Sequence, residues 1–143
     1  MKKFPILFCI VLVTGMVLAG CGNPTSYSVL GISGGSTWPP DTVLTDYGIA
    51  GLPKPSDAFS LQYTDSWGLT LTITFNVNTT TMTEVESYFS IARGWKSPDL
   101  TVTNKYTNKK ITPSVTYSVT LTNNSNSFEL VVSKDAITGS GTL

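Results

Sequence analysis

Between Trp67 and Val77 every second residue is apolar: Trp67, Leu69, Leu71, Ile73, Phe75 and Val77 alternate with Gly68, Thr70, Thr72, Thr74 and Asn76. A period of two predicts a strand with one buried face, and the β-branched threonines suit the same backbone. Phe59, Leu61 and Tyr63 alternate in the same way just upstream, and Thr64-Asp65-Ser66 supplies turn residues, so a hairpin is expected. Past Val77 the period changes. Met82, Val85, Phe89 and Ala92 are spaced by three, four and three residues, which predicts an amphipathic helix over 82–93. Thr81 with Glu84 fits a capping box, and Arg93-Gly94-Trp95 fits a glycine-terminated end from which Trp95 can fold back on Phe89.

Leu100, Val102 and Tyr106 predict a third strand that runs into a polar turn at Thr107-Asn108-Lys109-Lys110. Val115, Tyr117, Val119 and Leu121 mark a fourth, Asn123-Asn124-Ser125-Asn126 a turn, and Phe128, Leu130 and Val132 a fifth. The expected fold is therefore α+β, in the order β-β-α-β-β-β: a largely antiparallel five-stranded sheet with one helix packed on one face. Threonines on the other face leave it wet, or available to a partner.

Upstream of these elements, residues 21–37 are rich in glycine, serine and threonine, a composition that reads as a flexible tether. Trp38-Pro39-Pro40-Asp41 suits the entry to a short helix carrying Val43, Leu44 and Tyr47, with Gly48 as its stop. Leu52-Pro53-Lys54-Pro55 then forces an extended path into a single domain spanning 38–143. The first residues have a different layout: Lys2 and Lys3, an apolar stretch from Phe4 to Val17, then small residues before Cys21. That is the three-part pattern of an export signal over residues 1–20, too short and interrupted for a membrane span.

Leu18-Ala19-Gly20-Cys21 resembles the lipobox of bacterial lipoproteins. The resemblance implies a diacylglyceryl group on the Cys21 sulfur, removal of residues 1–20 and fatty acylation such as palmitate at the new N-terminus. Two or three chains hold a protein on a bilayer where one does so only marginally. The expected location is the bacterial cell envelope, lipid-anchored to the cell membrane or the outer membrane. The Trp38-Pro39 pair, the Leu52-Pro53-Lys54-Pro55 segment and the elements after them resemble small exported bacterial lipoprotein domains of unknown function. That likeness implies a compact α+β module and transfers no catalytic residues.

Composition narrows the chemistry. Nine Lys+Arg balance nine Asp+Glu, and loss of Lys2 and Lys3 with the signal leaves the remainder slightly acidic. Such a chain has no electrostatic footprint for nucleic acid. Lys105, Tyr106, Lys109 and Lys110 form only a small basic patch, the usual make-up of a solvated hairpin tip. Cys9 leaves with the signal and Cys21 is alkylated, so the core is expected to hold without a disulfide. With no histidine and no free thiol, His-based triads, thiol catalysis and the usual His or Cys metal sites are excluded; no metal or cofactor is expected. Gly31-Ile32-Ser33-Gly34-Gly35 fits the G-x-S-x-G nucleophile elbow, but an elbow without a histidine partner is only a glycine-rich run.

Two leads remain. Trp38, Trp67 and Trp95 lie at element ends, where a flat ring can stack on a sugar, anchor a partner protein, or plug the rim of a small core. The carboxylates Asp57, Asp65, Asp99, Glu84, Glu86 and Glu129 come from different elements and would have to converge in space to act as an acid/base pair; Glu84 and Glu86, two apart on a helix, do not face one another. The function expected from the sequence is a non-enzymatic binding or interaction module held on the membrane by the Cys21 lipid, contacting an envelope protein or polysaccharide. An envelope hydrolase built on convergent carboxylates and a structural accessory subunit of an envelope complex are the alternatives.

Overall fold

The computed structural model describes residues 26–98, 100–102 and 104–137, with backbone alone at 100–102. Residues 1–20, Cys21 and Asp99 lie outside the described residues. Eight strands form one antiparallel sheet: β1 (Tyr27–Val29), β2 (Ile32–Gly35), β3 (Phe59–Ser66), β4 (Thr70–Asn76), β5 (Leu100–Val102), β6 (Lys105–Ile111), β7 (Val115–Asn124) and β8 (Ser127–Ala136). Their spatial order is β1-β2-β3-β4-β8-β7-β6-β5. Two four-stranded meanders thus meet in the middle, where β4 pairs with β8 in the register Leu71↔Val132, Ile73↔Leu130, Phe75↔Phe128.

Two segments cross one face of this sheet. Residues 36–58 carry α1 (Asp41–Asp46), and residues 77–98 carry α2 (Met82–Glu86) and a 3-10 turn, Ile91–Arg93. The sheet contributes Leu71, Ile73, Phe75, Val119, Leu121, Phe128, Leu130 and Val132 to the core between them, all nearly inaccessible to solvent. The crossing segments contribute Leu44, Tyr47, Ile49, Leu52, Met82, Tyr88, Phe89 and Trp95. The other face is polar and uncovered: Thr64, Thr72, Thr120 and Thr107 lie in one cross-strand row through Val131. An antiparallel sheet with one solvated face accounts for the strict alternation in β4, β7 and β8.

The five-stranded, one-helix architecture is therefore corrected to a mostly β sheet of eight strands with two short helices. Three differences produce this. Residues 27–35, read as part of a tether, form the β1–β2 hairpin and continue the sheet from β3. Their glycines are tolerated because aromatic rings lie over them: a Cβ on Gly34 would stand 2.7 Å from the Tyr27 hydroxyl, and one on Gly31 would stand 2.4 Å from the Trp67 ring. The third expected strand is two strands. β5 pairs antiparallel with β6, and Thr107-Asn108-Lys109-Lys110 is the middle of β6. Asn108 faces the core there, 1% exposed, because its amide donates to the Phe89 carbonyl (3.1 Å) and the Tyr106 hydroxyl (2.7 Å).

The helix expected over 82–93 is the third difference. Its capping box is present, with Thr81 Oγ1 accepting from the Glu84 amide and the Glu84 carboxylate accepting from the Thr81 amide. Yet the α-helix stops at Glu86. The Phe89 carbonyl is taken by Tyr106 Oη (3.2 Å) and Asn108 Nδ2, and the Tyr88 hydroxyl donates to the Ala50 carbonyl (2.6 Å). Side-chain partners from the sheet thus replace the helical ladder. The stretch after α2 closes in a 3-10 turn with Gly94 at φ 82°, and Trp95 then meets Phe89 edge to face at 5.0 Å. No helix among the described residues is long and apolar enough to cross a membrane.

Candidate functional site

Between the two crossing segments the covered face leaves an open cavity of about 350 Å³, at the lower end of the range for small-ligand pockets. Phe75 of β4 and Leu130 of β8 line it from the sheet. Trp38, Leu52, Pro53 and Pro55 form one side, and Val85, Tyr88 and Arg93 the other. Trp38 is fixed at two points: its ring meets Phe75 edge to face at 5.5 Å, and its indole N–H donates to the Leu52 carbonyl (3.3 Å). Phe75 in turn stacks on Phe128 at 5.3 Å. The ring is thereby pre-oriented, at little entropic cost on binding.

Thr80, Glu84, Ser87 and Arg93 supply the polar part of the lining. The Arg93 guanidinium lies 4.3 Å from the centroid of the Tyr88 ring, a cation–π contact. Ser87 Oγ donates to the Glu84 carbonyl (2.6 Å), and Thr80 Oγ1 donates to Asp57. Glu84 is held by Thr81, whose hydrogen bonds keep its carboxyl below the usual range. The cavity therefore offers apolar and aromatic surface with one cation at its edge.

The carboxylates do not converge on it. Glu84 is the one acidic side chain among its described lining residues. Asp57 accepts from the backbone amides of Asn78 (3.0 Å), Thr79 (2.6 Å) and Thr80 (3.0 Å), and from the hydroxyls of Thr79 and Thr80. These bonds, the Thr80 hydroxyl first, hold its carboxyl far below the ordinary carboxylate range. Asp65 accepts from the Tyr47 hydroxyl (2.5 Å) and the Gly68 amide (3.0 Å). Burial, and then this bond to Asp65, raise the Tyr47 phenol well above its normal range. Glu129 is exposed on the uncovered face, opposite Thr74 and Thr122. Burial raises Glu86. No group of three acidic or thiol side chains able to hold a metal ion occurs among the described residues.

The three tryptophans occupy three different places. Trp38 walls the cavity. Trp95 is 2% exposed, so its ring has no face for a ligand. Trp67 is 67% exposed at the tip of the β3–β4 hairpin, with one side of its ring over Gly31. Sequence reasoning missed Tyr88 and Arg93 as cavity residues because the helical reading made Arg93 a helix end. The prolines at 53 and 55 were the available signal: a rigid, apolar segment between two aromatic clusters. Comparison with protein-family models, with curated protein sequences and with solved structures gives no match.

Proposed function

We propose that the chain is a lipid-anchored, non-enzymatic binding module of the bacterial cell envelope, which engages a peptide or polysaccharide segment in the Trp38 cavity. One observation carries the reading: a tryptophan held rigidly at the side of an open, proline- and tyrosine-lined cavity with a single cation at its edge. Such a surface suits a ligand with one apolar face and one hydrogen-bond acceptor or anionic group. The lipobox-like Leu18-Ala19-Gly20-Cys21 supports the anchorage. The engagement of Asp57, Asp65 and Glu84 by their own neighbours speaks against a paired-carboxylate hydrolase built from the described residues.

The test is crosslinking in intact cells, followed by identification of what copurifies with the lipidated protein, in parallel with binding to isolated cell-wall polysaccharide. Trp38→Ala and Arg93→Ala are each expected to reduce capture at least tenfold while leaving membrane association intact. Capture that persists undiminished in both variants would sink the cavity as the site.

A further inference from the structure

Most of the exposed large apolar side chains of this fold gather at one end of the sheet, with Tyr27 at the start of β1, Phe59 at the far end and Ile91 on the second crossing segment as the others among the described residues. Val29, Leu30 and Ile32 surround the β1–β2 turn, Trp67 and Leu69 form the β3–β4 turn, Ile111 ends β6 and Ile137 follows β8. In an antiparallel sheet paired in this register, all of these positions lie at the same end of the strands. Leu30 is 83% exposed and Trp67 67%. The two hairpin tips are joined, since the Trp67 amide donates to the Gly31 carbonyl at 2.6 Å. The opposite end of the central strands turns instead through polar Asn124-Ser125-Asn126.

The backbone makes this display unusual. Leu30-Gly31 and Trp67-Gly68 each have positive φ at both residues, 48° and 79°, then 60° and 62°. The first such position in a hairpin turn favours asparagine, aspartate or glycine, because a large side chain is strained in the left-handed region. Here both tips place a bulky apolar residue there and leave it in solvent. No charged residue occurs in the segments 29–32, 66–70, 111–114 or 136–137. Of the nearest charged side chains, Asp65 and Lys134 are turned against Tyr47 and Lys110 donates to the Gly48 carbonyl (3.2 Å). Asp135 stays on the uncovered face.

We infer that this uncharged, apolar end of the sheet docks on the lipid bilayer surface, with Trp67 and Leu30 entering the interfacial region. The inference rests on the proposed lipid anchorage at Cys21. The length of chain preceding β1 argues for the bilayer over another occupant. Six residue steps separate Cys21 from Tyr27, a reach of up to about 20 Å, whereas β1 needs only about 10 Å to run from Tyr27 to its tip. A lipid on Cys21 can therefore lie in the same membrane the tips touch. Tryptophan favours the membrane–water interface, and the absence of cations at the tips makes the contact independent of anionic lipid.

The experiment uses the full lipidated protein in phosphatidylcholine vesicles whose acyl chains carry bromine near the headgroup. Tryptophan emission is expected to be quenched, and Trp67→Phe to remove at least two thirds of that quenching, since Trp38 packs on Phe75 toward the far end of the sheet and Trp95 is buried. Leu30→Asn, which suits the turn, is expected to reduce quenching at least twofold, and anionic vesicles to give the same result as neutral ones. Absence of quenching in the wild type, or quenching retained in full by Trp67→Phe, overturns the docking. So does a photo-crosslink from position 67 to a second copy or to another protein in place of lipid. Vesicle flotation reads the anchor separately: its loss in Cys21→Ser reports anchorage alone. Flotation and quenching both unchanged in Cys21→Ser would remove the anchor while leaving the docking in place.

Discussion

Leu30 holds a φ of 48° with its side chain almost wholly in solvent, so the folded state gains little from it and bears its backbone strain. Asparagine adopts that conformation more readily. Leu30→Asn is expected to raise stability by about 1 kcal/mol, read as a higher urea midpoint at unchanged slope. Asp57 illustrates the opposite case, a side chain on which a loop depends. Its pKa in the folded protein lies below the ordinary ~3.9 of an unfolded chain. Its contribution is complete above that unfolded value and is lost as pH falls below about 4 toward the folded value. Asp57→Asn should therefore melt lower than wild type at pH 7, with the gap narrowing below pH 4; parallel melting curves across that range would show that the carboxylate's charge is not what holds residues 78–80. Neither residue's role was legible in the sequence. Asp57 and the Asn78-Thr79-Thr80 run are some twenty positions apart, and only folding brings them together.

Strands were legible where each carried its own evidence. β4, β7 and β8 alternate apolar and polar residues because one face packs and the other meets water. β1, β2 and β6 were not, because what makes them strands comes from a neighbour. Gly34 is covered by Tyr27, whose hydroxyl reaches Thr64 Oγ1 at 3.1 Å across two strand pairings. Asn108 is buried because its amide donates to the Phe89 carbonyl on the second crossing segment and to the Tyr106 hydroxyl of its own strand. Gly34→Ala puts the argument to a direct trial. Its Cβ would lie 2.3 Å from the Tyr63 carbonyl, a backbone atom that cannot move aside. Amides of β1 and β2 are expected to exchange at least tenfold faster than in wild type, with β4, β7 and β8 unaffected in a hydrogen-exchange experiment. Full protection in β1 and β2 would contradict the close packing described for that hairpin. The short α2 belongs to the same scale: the sequence shows its capping box plainly, whereas its early end depends on Tyr106 and Asn108 reaching the Phe89 carbonyl from the sheet.

At the scale of the whole molecule, the chain builds β1 and β2, crosses the covered face, adds β3 and β4, crosses again, and lays down a second meander from the far edge back to the centre. Local periodicity carries no information on that order, since the decisive pairing joins β4 to β8, which are more than fifty residues apart. The same crossing gives the candidate site its form. Trp38 enters on the first crossing segment and Arg93 on the second, so the cavity exists only once both have packed on Phe75 and Leu130. The outermost strands, β1 and β5, are only three residues long. A neighbouring chain would find only three residues of strand to pair with on β1 or on β5, a poor template for an added strand. If the proposed anchorage crowds copies side by side on a membrane, these short outer strands give them little to pair through, and each keeps its own cavity open.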